Sequence, residues 1–255
     1  SGGMALQTAV AQEWEKVTGC RICEGFGLTE TSPVISVNMY KGGLMRIGTV
    51  GKPIANLEIK IAEDGEILAK GPNIMQGYYK DPERTASVMT GDYFHTGDKG
   101  EIDADGFIKI TGRKKEIFKT SGGKYIAPAL LENAMKESRF IEQILVIGEG
   151  QKMPAALIQP NFQFLRDWAK LHHEPIPNNN EDFIENPNVI ERIQLEIDKG
   201  NEHFGKWETI KRFELTPDVW GIDNGLLTPT MKPKREEIIK KYLNLYNKIY
   251  SDNPK

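Results

Sequence analysis

Apolar residues recur along this chain at two periods, and the change between them falls near residue 112. Between Arg46 and Thr111 the period is two, the spacing of half-buried strands. Leu57-Glu58-Ile59-Lys60-Ile61 alternates, and Asp64-Gly65 turns it into Glu66-Ile67-Leu68-Ala69. Glu101-Ile102-Asp103 and Phe107-Ile108-Lys109-Ile110 flank Asp105-Gly106 in the same way. Asp-Gly suits turn positions with positive φ, so two hairpins are predicted. Asp81-Pro82-Glu83 predicts the cap of a short helix over 85–89. Upstream, Leu6, Val10 and Trp14 fall on one helical stripe over 6–17, Gly19 ends that helix, and 20–24 reads as a short strand.

Beyond residue 112 the helical period takes over. Pro128 opens a helix to Glu137 in which Leu130, Leu131, Ala134 and Met135 are apolar. Residues 143–147 and 155–159 read as strands, 162–171 as a helix and 174–180 as a Pro- and Asn-rich loop. Val189, Ile190, Ile193 and Ile197 mark another amphipathic helix. The clearest helix runs over 236–250, with Ile238, Ile239, Tyr242, Leu243, Tyr246 and Ile249 set against Lys and Glu. These stripes are expected to be core. The chain has no internal repeat and no low-complexity tract.

Several stretches interrupt both periods. Gly25-Phe26-Gly27-Leu28-Thr29-Glu30-Thr31-Ser32-Pro33 is Gly- and hydroxyl-rich, with one carboxylate and no room for a helix. It reads either as a plain loop or as backbone that approaches a ligand closely, with Thr29 donating to phosphate and Glu30 facing a metal. His95-Thr96-Gly97-Asp98 sets a carboxylate that could accept from both hydroxyls of a ribose or cap a turn. Asp103-Ala104-Asp105-Gly106 lacks the later ligands of a calcium loop, so it reads as a turn. Residues 112–128 combine a basic cluster, a Ser121-Gly122-Gly123 turn and Pro128, and read as a domain junction. Lys124 there is followed by Tyr125 and not by Ser or Thr, so the stretch is not a Walker A loop. Residues 226–235 carry Pro229 and Pro233 and predict an extended, semi-rigid loop displaying Lys232. Positive charge just before a helix is mildly unfavourable and asks for a reason.

Composition narrows the classes. Hydrophobic content of 39% and charged content of 27% suit a soluble globular protein. The net charge of -3 gives no global basic field for nucleic acid. No apolar run is long enough to span a bilayer, and Ser1-Gly2-Gly3-Met4 lacks the layout of a signal peptide. Cys20 and Cys23 form a Cys-x-x-Cys pair, but a structural zinc needs four ligands and His172 and His173 are remote in sequence. They read as ordinary thiols in a reducing compartment.

Five segments in this order resemble the AMP-forming acyl-CoA synthetases of the adenylate-forming superfamily, which also holds luciferases and peptide-synthetase adenylation domains. They are Ser1-Gly2-Gly3, Gly25 to Pro33, Thr96-Gly97-Asp98, Gly112 to Pro128 and Leu227 to Arg235. The long-chain fatty acid ligases are the nearest likeness, through 27–33, Arg113-Lys114-Lys115-Glu116 and the insertion between Asn161 and Gly225. The resemblance implies a fold that is part α/β and part α+β. Residues 1–111 would be the end of a large N-terminal domain with a β-barrel-like subdomain, and 112–255 a small mobile C-terminal α+β domain.

It also implies roles. The backbone of Gly25, Phe26, Gly27 and Leu28 would lie along the nucleotide, Thr29 would contact a phosphate, and Glu30 would bind Mg²⁺ with ATP. Asp98 would hold the ribose hydroxyls with Arg113 nearby, and Lys115 would be the hinge. Lys232 would serve adenylation; Lys119 and Ser121, Gly122 and Gly123 would serve the thioester step, the turn admitting the pantetheine arm of CoA. The implied partners are fatty acid, ATP or AMP, and coenzyme A, with no nucleic acid and no transmembrane segment. The cytoplasm is the default compartment; peripheral membrane contact and oligomeric state stay open. The family's Ser/Thr/Gly-rich phosphate loop is not in this sequence, so the chain is read as a C-terminal fragment, inactive alone. Met4 replaces a small residue usual at the acyl site. The alternatives are a ligase that passes its acyl-AMP to a carrier protein, and a non-catalytic nucleotide- or CoA-binding module.

Overall fold

The structure, a computed structural model, describes residues 1–3, 6–40, 42 and 45–251. Met4 lies outside the described residues. The fold is mixed α/β and divides into two compact units, Ser1–Glu116 and Ile117–Lys255.

The first unit opens with α1 (Thr8–Thr18), ended by Gly19 at φ 70°, a left-handed position that glycine adopts without steric cost. Its stripe is not core. Val10, Trp14 and Val17 are all exposed and only Ala11 is buried, because no described element covers that face. The expected strand over 20–24 is absent; β1 (Gly25–Gly27) begins after it and pairs antiparallel with β2 (Val34–Val37), which pairs with β3 (Lys52–Pro53). Strands β4 (Glu58–Ile61) and β5 (Glu66–Lys70) form the first Asp-Gly hairpin. The short helix is α2 (Pro82–Ser87), shifted towards its cap because Asp81 accepts from the Arg84 N–H at 3.0 Å. Residue 89 belongs to β6 (Met89–Thr90).

Strand β7 (Tyr93–Ile102) is much longer than its hairpin pattern suggested, and it pairs with β5, β6 and β8 (Ile108–Arg113). These five strands make one antiparallel sheet in which β4 and β6 are unpaired with each other, so it is not a closed barrel. Between β7 and β8, Asp103 Oδ1 accepts from the amides of Asp105 and Phe107, each at 2.9 Å, which is turn chemistry.

Glu66 is the buried polar centre of this sheet, 3% exposed. Its carboxylate receives the Gly97 N–H at 2.9 Å and Lys114 Nζ at 2.8 Å, and lies 2.9 Å from His95 Nδ1. Desolvation alone would raise its pKa; the hydrogen bonds from His95, Lys114 and Gly97 and the Lys114 charge outweigh that and hold it below the ordinary glutamate range.

The second unit begins with a small hairpin, β9 (Phe118–Lys119) and β10 (Tyr125–Ile126), then α3 (Pro128–Met135). Its main sheet is β11 (Ile141–Ile147), β12 (Ala155–Pro160) and β13 (Arg212–Leu215), with β12 antiparallel to β11 and parallel to β13. Side chains alternate between two apolar layers. Ile144, Val146, Ala156 and Ile158 pack into a cluster with Leu131, Met135, Leu165 and Ile193. Leu145, Ile147, Ala155 and Leu157 pack into another with Trp220, Leu227, Ile238 and Ile249. A sheet covered on both faces needs apolar residues at every position, which is why β11 and β12 are near-continuous apolar runs. Each fully buried Leu or Ile contributes about 1.5–3 kcal/mol.

Between β12 and β13 the chain forms α4 (Phe162–Leu171), α5 (Asn180–Ile184) and α6 (Pro187–Asn201). Asn161, Asn179 and Asn186 each cap one of them through a side-chain oxygen. The final helix is two, α7 (Arg235–Lys241) and α8 (Leu243–Tyr250), broken at Tyr242. Tyr242 leaves helical geometry, at φ -106° and ψ 34°. Its ring stacks on Trp220 and its hydroxyl donates to Asp218 at 2.7 Å, a tether that holds the break and leaves Leu243 exposed. Arg235 opens α7 with its guanidinium on Glu132 Oε1 at 2.7 Å and on the Val146 carbonyl. Glu236 and Glu237 occupy the first turn and Glu132 pairs with Arg235, so part of the positive charge at this helix start is offset.

The depressed pKa of Glu66 predicts a pH-dependent contribution to stability. The contribution is present above the unfolded pKa of about 4.3 and is lost as the pH falls through the lower folded value. Glu66→Gln should therefore cost about 1–3 kcal/mol at neutral pH and less at a pH below the folded value, where the carboxyl is protonated in both states. Urea unfolding of parent and variant at both pH values checks this; an equal difference at the two would contradict it.

Candidate functional site

The segment expected to approach a ligand is a folded turn. After β1, residues Thr29–Thr31 form a single 3-10 turn, although the Gly-rich sequence suggested no helix. Thr31 is fully buried and holds the turn shut: its hydroxyl receives the Leu28 N–H at 2.9 Å and lies 2.5 Å from the Pro33 carbonyl. Gly27 is required by space. A Cβ there would lie 1.7 Å from the Pro33 carbonyl oxygen. Gly25 is looser, with the Ser36 carbonyl 3.4 Å from such an atom, and Phe26 and Leu28 are half-buried.

The turn exposes Thr29 and leaves Glu30 half-buried. Glu30 is held from outside its own segment. Tyr78 donates its hydroxyl to Glu30 Oε1 at 2.9 Å, and the Met75 N–H donates to the Glu30 carbonyl at 2.8 Å. Asn73 donates to the carbonyls of Thr31 and Val34. Burial, with the hydrogen bond to Glu30, raises the Tyr78 pKa, so its hydroxyl keeps the donated proton. Arg84 lies over the Tyr78 ring at 4.0 Å.

Asp98 lies within β7, in the stretch of that strand that pairs with β8. It is 5% exposed and sits in register with Arg113, whose Nε is 3.1 Å from Asp98 Oδ1. The guanidinium is half exposed, so the pair presents a buried anion beside an accessible cation. Lys114 follows, with its N–H on the Gly97 carbonyl at 2.8 Å and its ammonium on Asp64 and Glu66. Lys115 is exposed.

In the second unit, Lys119 pairs in register with Tyr125, and its ammonium lies 5.2 Å from that ring. Ser121, Gly122 and Gly123 are exposed at the tip of the β9–β10 hairpin. The tip is fixed by the Gly123 N–H on the Thr120 carbonyl and the Ser121 N–H on the Gln151 carbonyl, both 2.9 Å. Gly123, at φ 78°, needs to be glycine; a Cβ on Gly122 would meet only the Thr120 hydroxyl at 4.0 Å.

Lys232 is not on an extended loop. Residues 228–232 reverse direction, with Thr228 N–H on the Lys232 carbonyl at 2.8 Å and Lys232 N–H on the Thr228 hydroxyl at 3.0 Å. Leu227 bridges to Pro233 across the turn, and Met231 takes φ 62°. The two prolines restrict the backbone, but the Thr228 hydroxyl closes it. Lys232 is half-buried, and its ammonium has no ion pair among the described residues.

Comparison with known proteins decides the family. A family model described as an AMP-binding enzyme matches residues 1–79, and one described as the C-terminal domain of AMP-binding enzymes matches residues 115–254, more than half of the chain. The chain belongs to the AMP-binding enzyme family. Among its relatives, the long-chain-fatty-acid–CoA ligase FadD15 of Mycobacterium bovis is 35% identical over 251 residues, covering 98% of this chain and 41% of that protein. Long-chain-fatty-acid–CoA ligase 1 of Homo sapiens is 34% identical over 269 residues, covering 98% of this chain and 38% of that one. The chain thus spans about two fifths of the length of these ligases. Its fold is that of the anthranilate CoA ligase AuaEII solved with anthranoyl-AMP, with a TM-score of 0.72 at 23% identity over 94% of this chain and 43% of that one. It also matches the adenylation domain of a carboxylate reductase from Mycobacterium chelonae, with a TM-score of 0.77 at 20% identity over 99% of this chain and 38% of that one.

Glu30 offers one half-buried carboxylate, with Tyr78 on its Oε1. No group of three or more metal-ligating side chains exists among the described residues. Mg²⁺ commonly takes one or two carboxylates and completes its shell with phosphates and water. Among the described residues, no helix is long and apolar enough to cross a membrane. Tyr78, Asn73 and Glu66 were not singled out as site residues in the sequence, because each acts on a residue remote in sequence.

Gly27→Ala should destabilise the first unit by about 1–3 kcal/mol, since the new Cβ must displace the Pro33 carbonyl. A urea melt is the check, and an unchanged midpoint would refute the crowding argument.

Proposed function

We propose that this chain supplies the C-terminal portion of an ATP-dependent long-chain fatty acid–CoA ligase. The reading is carried by Asp98, a buried carboxylate locked in register with Arg113, in a chain whose relatives are such ligases. In the first half-reaction a fatty acid carboxylate oxygen attacks the α-phosphorus of ATP, a P–O bond forms, and pyrophosphate leaves. In the second, the CoA thiol attacks the acyl carbon, loses its proton, and AMP leaves.

The chain's residues take these parts. The Asp98 carboxylate accepts from the ribose hydroxyls, and Arg113 holds that carboxylate in place. The backbone of 25–28 lies along the nucleotide, where Gly27 admits no side chain. Thr29 donates to phosphate. Glu30, oriented by Tyr78, would hold a Mg²⁺ ion that would neutralise phosphate charge. Lys232 supplies a positive charge to the phosphoryl oxygens as charge builds there. Lys119 and the Ser121-Gly122-Gly123 tip serve the thioester step, the tip giving the pantetheine arm a path close to backbone. The chain contributes to two domains that meet just after β8, which carries residues 112 and 113 in the first unit's sheet, with Lys115 as the hinge of a mobile C-terminal lid that exchanges Lys232 for the Lys119 face. By itself the chain does not turn over.

Lys232→Ala in the complete enzyme should lower acyl-adenylate formation about 10²–10³-fold and spare thioester formation from supplied acyl-AMP. Single-turnover assays of the two half-reactions separate these outcomes. Equal loss in both would sink the two-lysine model.

A further inference from the structure

The proposed roles leave the most deeply placed acid of the first unit unused. Glu66 sits in β5, remote in sequence from Asp98, Arg113 and Lys115, yet its carboxylate joins the backbone at Gly97 to the side chain of Lys114. Those two residues directly precede Asp98 and Lys115. They are also joined to each other, because the Lys114 N–H donates to the Gly97 carbonyl at 2.8 Å. Asp64, on the turn before β5, takes the same ammonium at 2.7 Å.

The sheet needs such an anchor at this place. The register of β7 is irregular here on both sides, against β5 between Glu66 and Leu68 and against β8 between Lys99 and Gly100. Gly97 lies in the left-handed region at φ 74°. A bulge leaves amides unpaired by the ladder and bends the strand. Glu66 Oε1 takes one of those amides, from Gly97. The Thr96 hydroxyl, which donates to the Ile67 carbonyl at 2.8 Å, takes the next, from Asp98 at 3.1 Å. The direction in which Asp98 leaves the sheet is therefore set from β5. His95, held between Glu66 and the Thr90 hydroxyl, closes the remaining side of the carboxylate.

We propose that Glu66 is a positioning residue for nucleotide binding: through Gly97 it aims Asp98, and through Lys114 it fixes the chain immediately before Lys115, so that hinge motion begins at 115 and not earlier. The proposal rests on the reading of Asp98 as the ribose carboxylate and of Lys115 as the hinge.

The test has two arms. In the chain of residues 1–255, amide hydrogen exchange is read at Gly97 and Lys114 in the parent, Glu66→Ala, Glu66→Gln and Lys114→Met. Glu66→Ala should speed exchange at Gly97 about tenfold or more, because its acceptor is gone; Glu66→Gln, which keeps an acceptor oxygen, should not. Lys114→Met should speed exchange around 113–115 and leave Gly97 protected. In the complete enzyme, Glu66→Ala should raise the KM for ATP about tenfold with a smaller change in kcat, Glu66→Gln should restore most of it, and Asp98→Ala should raise the same KM. Unchanged exchange at Gly97 in Glu66→Ala overturns the anchor. Faster exchange with an unmoved KM, while Asp98→Ala raises it, leaves Glu66 as a structural group only and overturns the positioning role. If Asp98→Ala also leaves the KM unmoved, the ribose assignment itself has failed. Should Glu66→Ala not fold, the Gln and Met variants still decide: the proposal requires protected Gly97 in both and loosening at 113–115 in Lys114→Met.

Discussion

Burying a carboxylate is costly unless donors replace the water it loses, and in the first unit that constraint falls on two acids in one sheet. Glu66 meets it with Gly97, Lys114 and His95; Asp98 meets part of it with Arg113. Satisfying Glu66 ties β5 to β7 and to the end of β8, and the end of β8 is where Arg113 comes into register with Asp98. The arrangement of the candidate nucleotide site therefore follows from hydrogen bonding inside the sheet. The Glu30 turn follows the same logic at a smaller scale. Thr31 closes it from within, and Tyr78, Asn73 and Met75 hold it from a second loop.

The second unit depends on a different constraint. Its three-stranded sheet is apolar on both faces, so each face must be covered. Helices α3, α4 and α6 cover one and the Trp220 segment with α7 and α8 covers the other. Arg235 connects the two sides: from the start of α7 it reaches Glu132 on α3 and the Val146 carbonyl on β11. The Lys232 turn ends three residues before that anchor, so the lysine is displayed from a fixed support.

Much of the architecture was legible in the sequence where one rule acted alone. Asp-Gly placed the hairpins, the apolar runs placed β11 and β12, and Pro128 marked a helix start. The sequence misled where tertiary contacts overrode a local pattern. Tyr242 continues a helical stripe, yet its bond to Asp218 and its stack on Trp220 hold a break there. Val10 and Trp14 fit a buried stripe but face outward. Pro229 and Pro233 suggested an extended loop, and the Thr228 hydroxyl folds it back. Strand β13 lacked a signal because its parallel pairing with β12 is set by the helical insertion between them. In the candidate site, the sequence named residues by resemblance but gave no view of what holds them. Tyr78 and Glu66 act across 48 and 31 residues respectively, a separation that no local pattern encodes.

The central claim is that the Asp98–Arg113 pair serves the adenylation of a fatty acid. Exchange of labelled pyrophosphate into ATP by the complete enzyme, with a long-chain fatty acid present and CoA absent, tests it most directly. The account predicts exchange that requires the fatty acid and is lost in Asp98→Ala while the variant stays folded. Exchange that persists unchanged in Asp98→Ala, or no exchange by a folded parent enzyme that binds AMP, would contradict it.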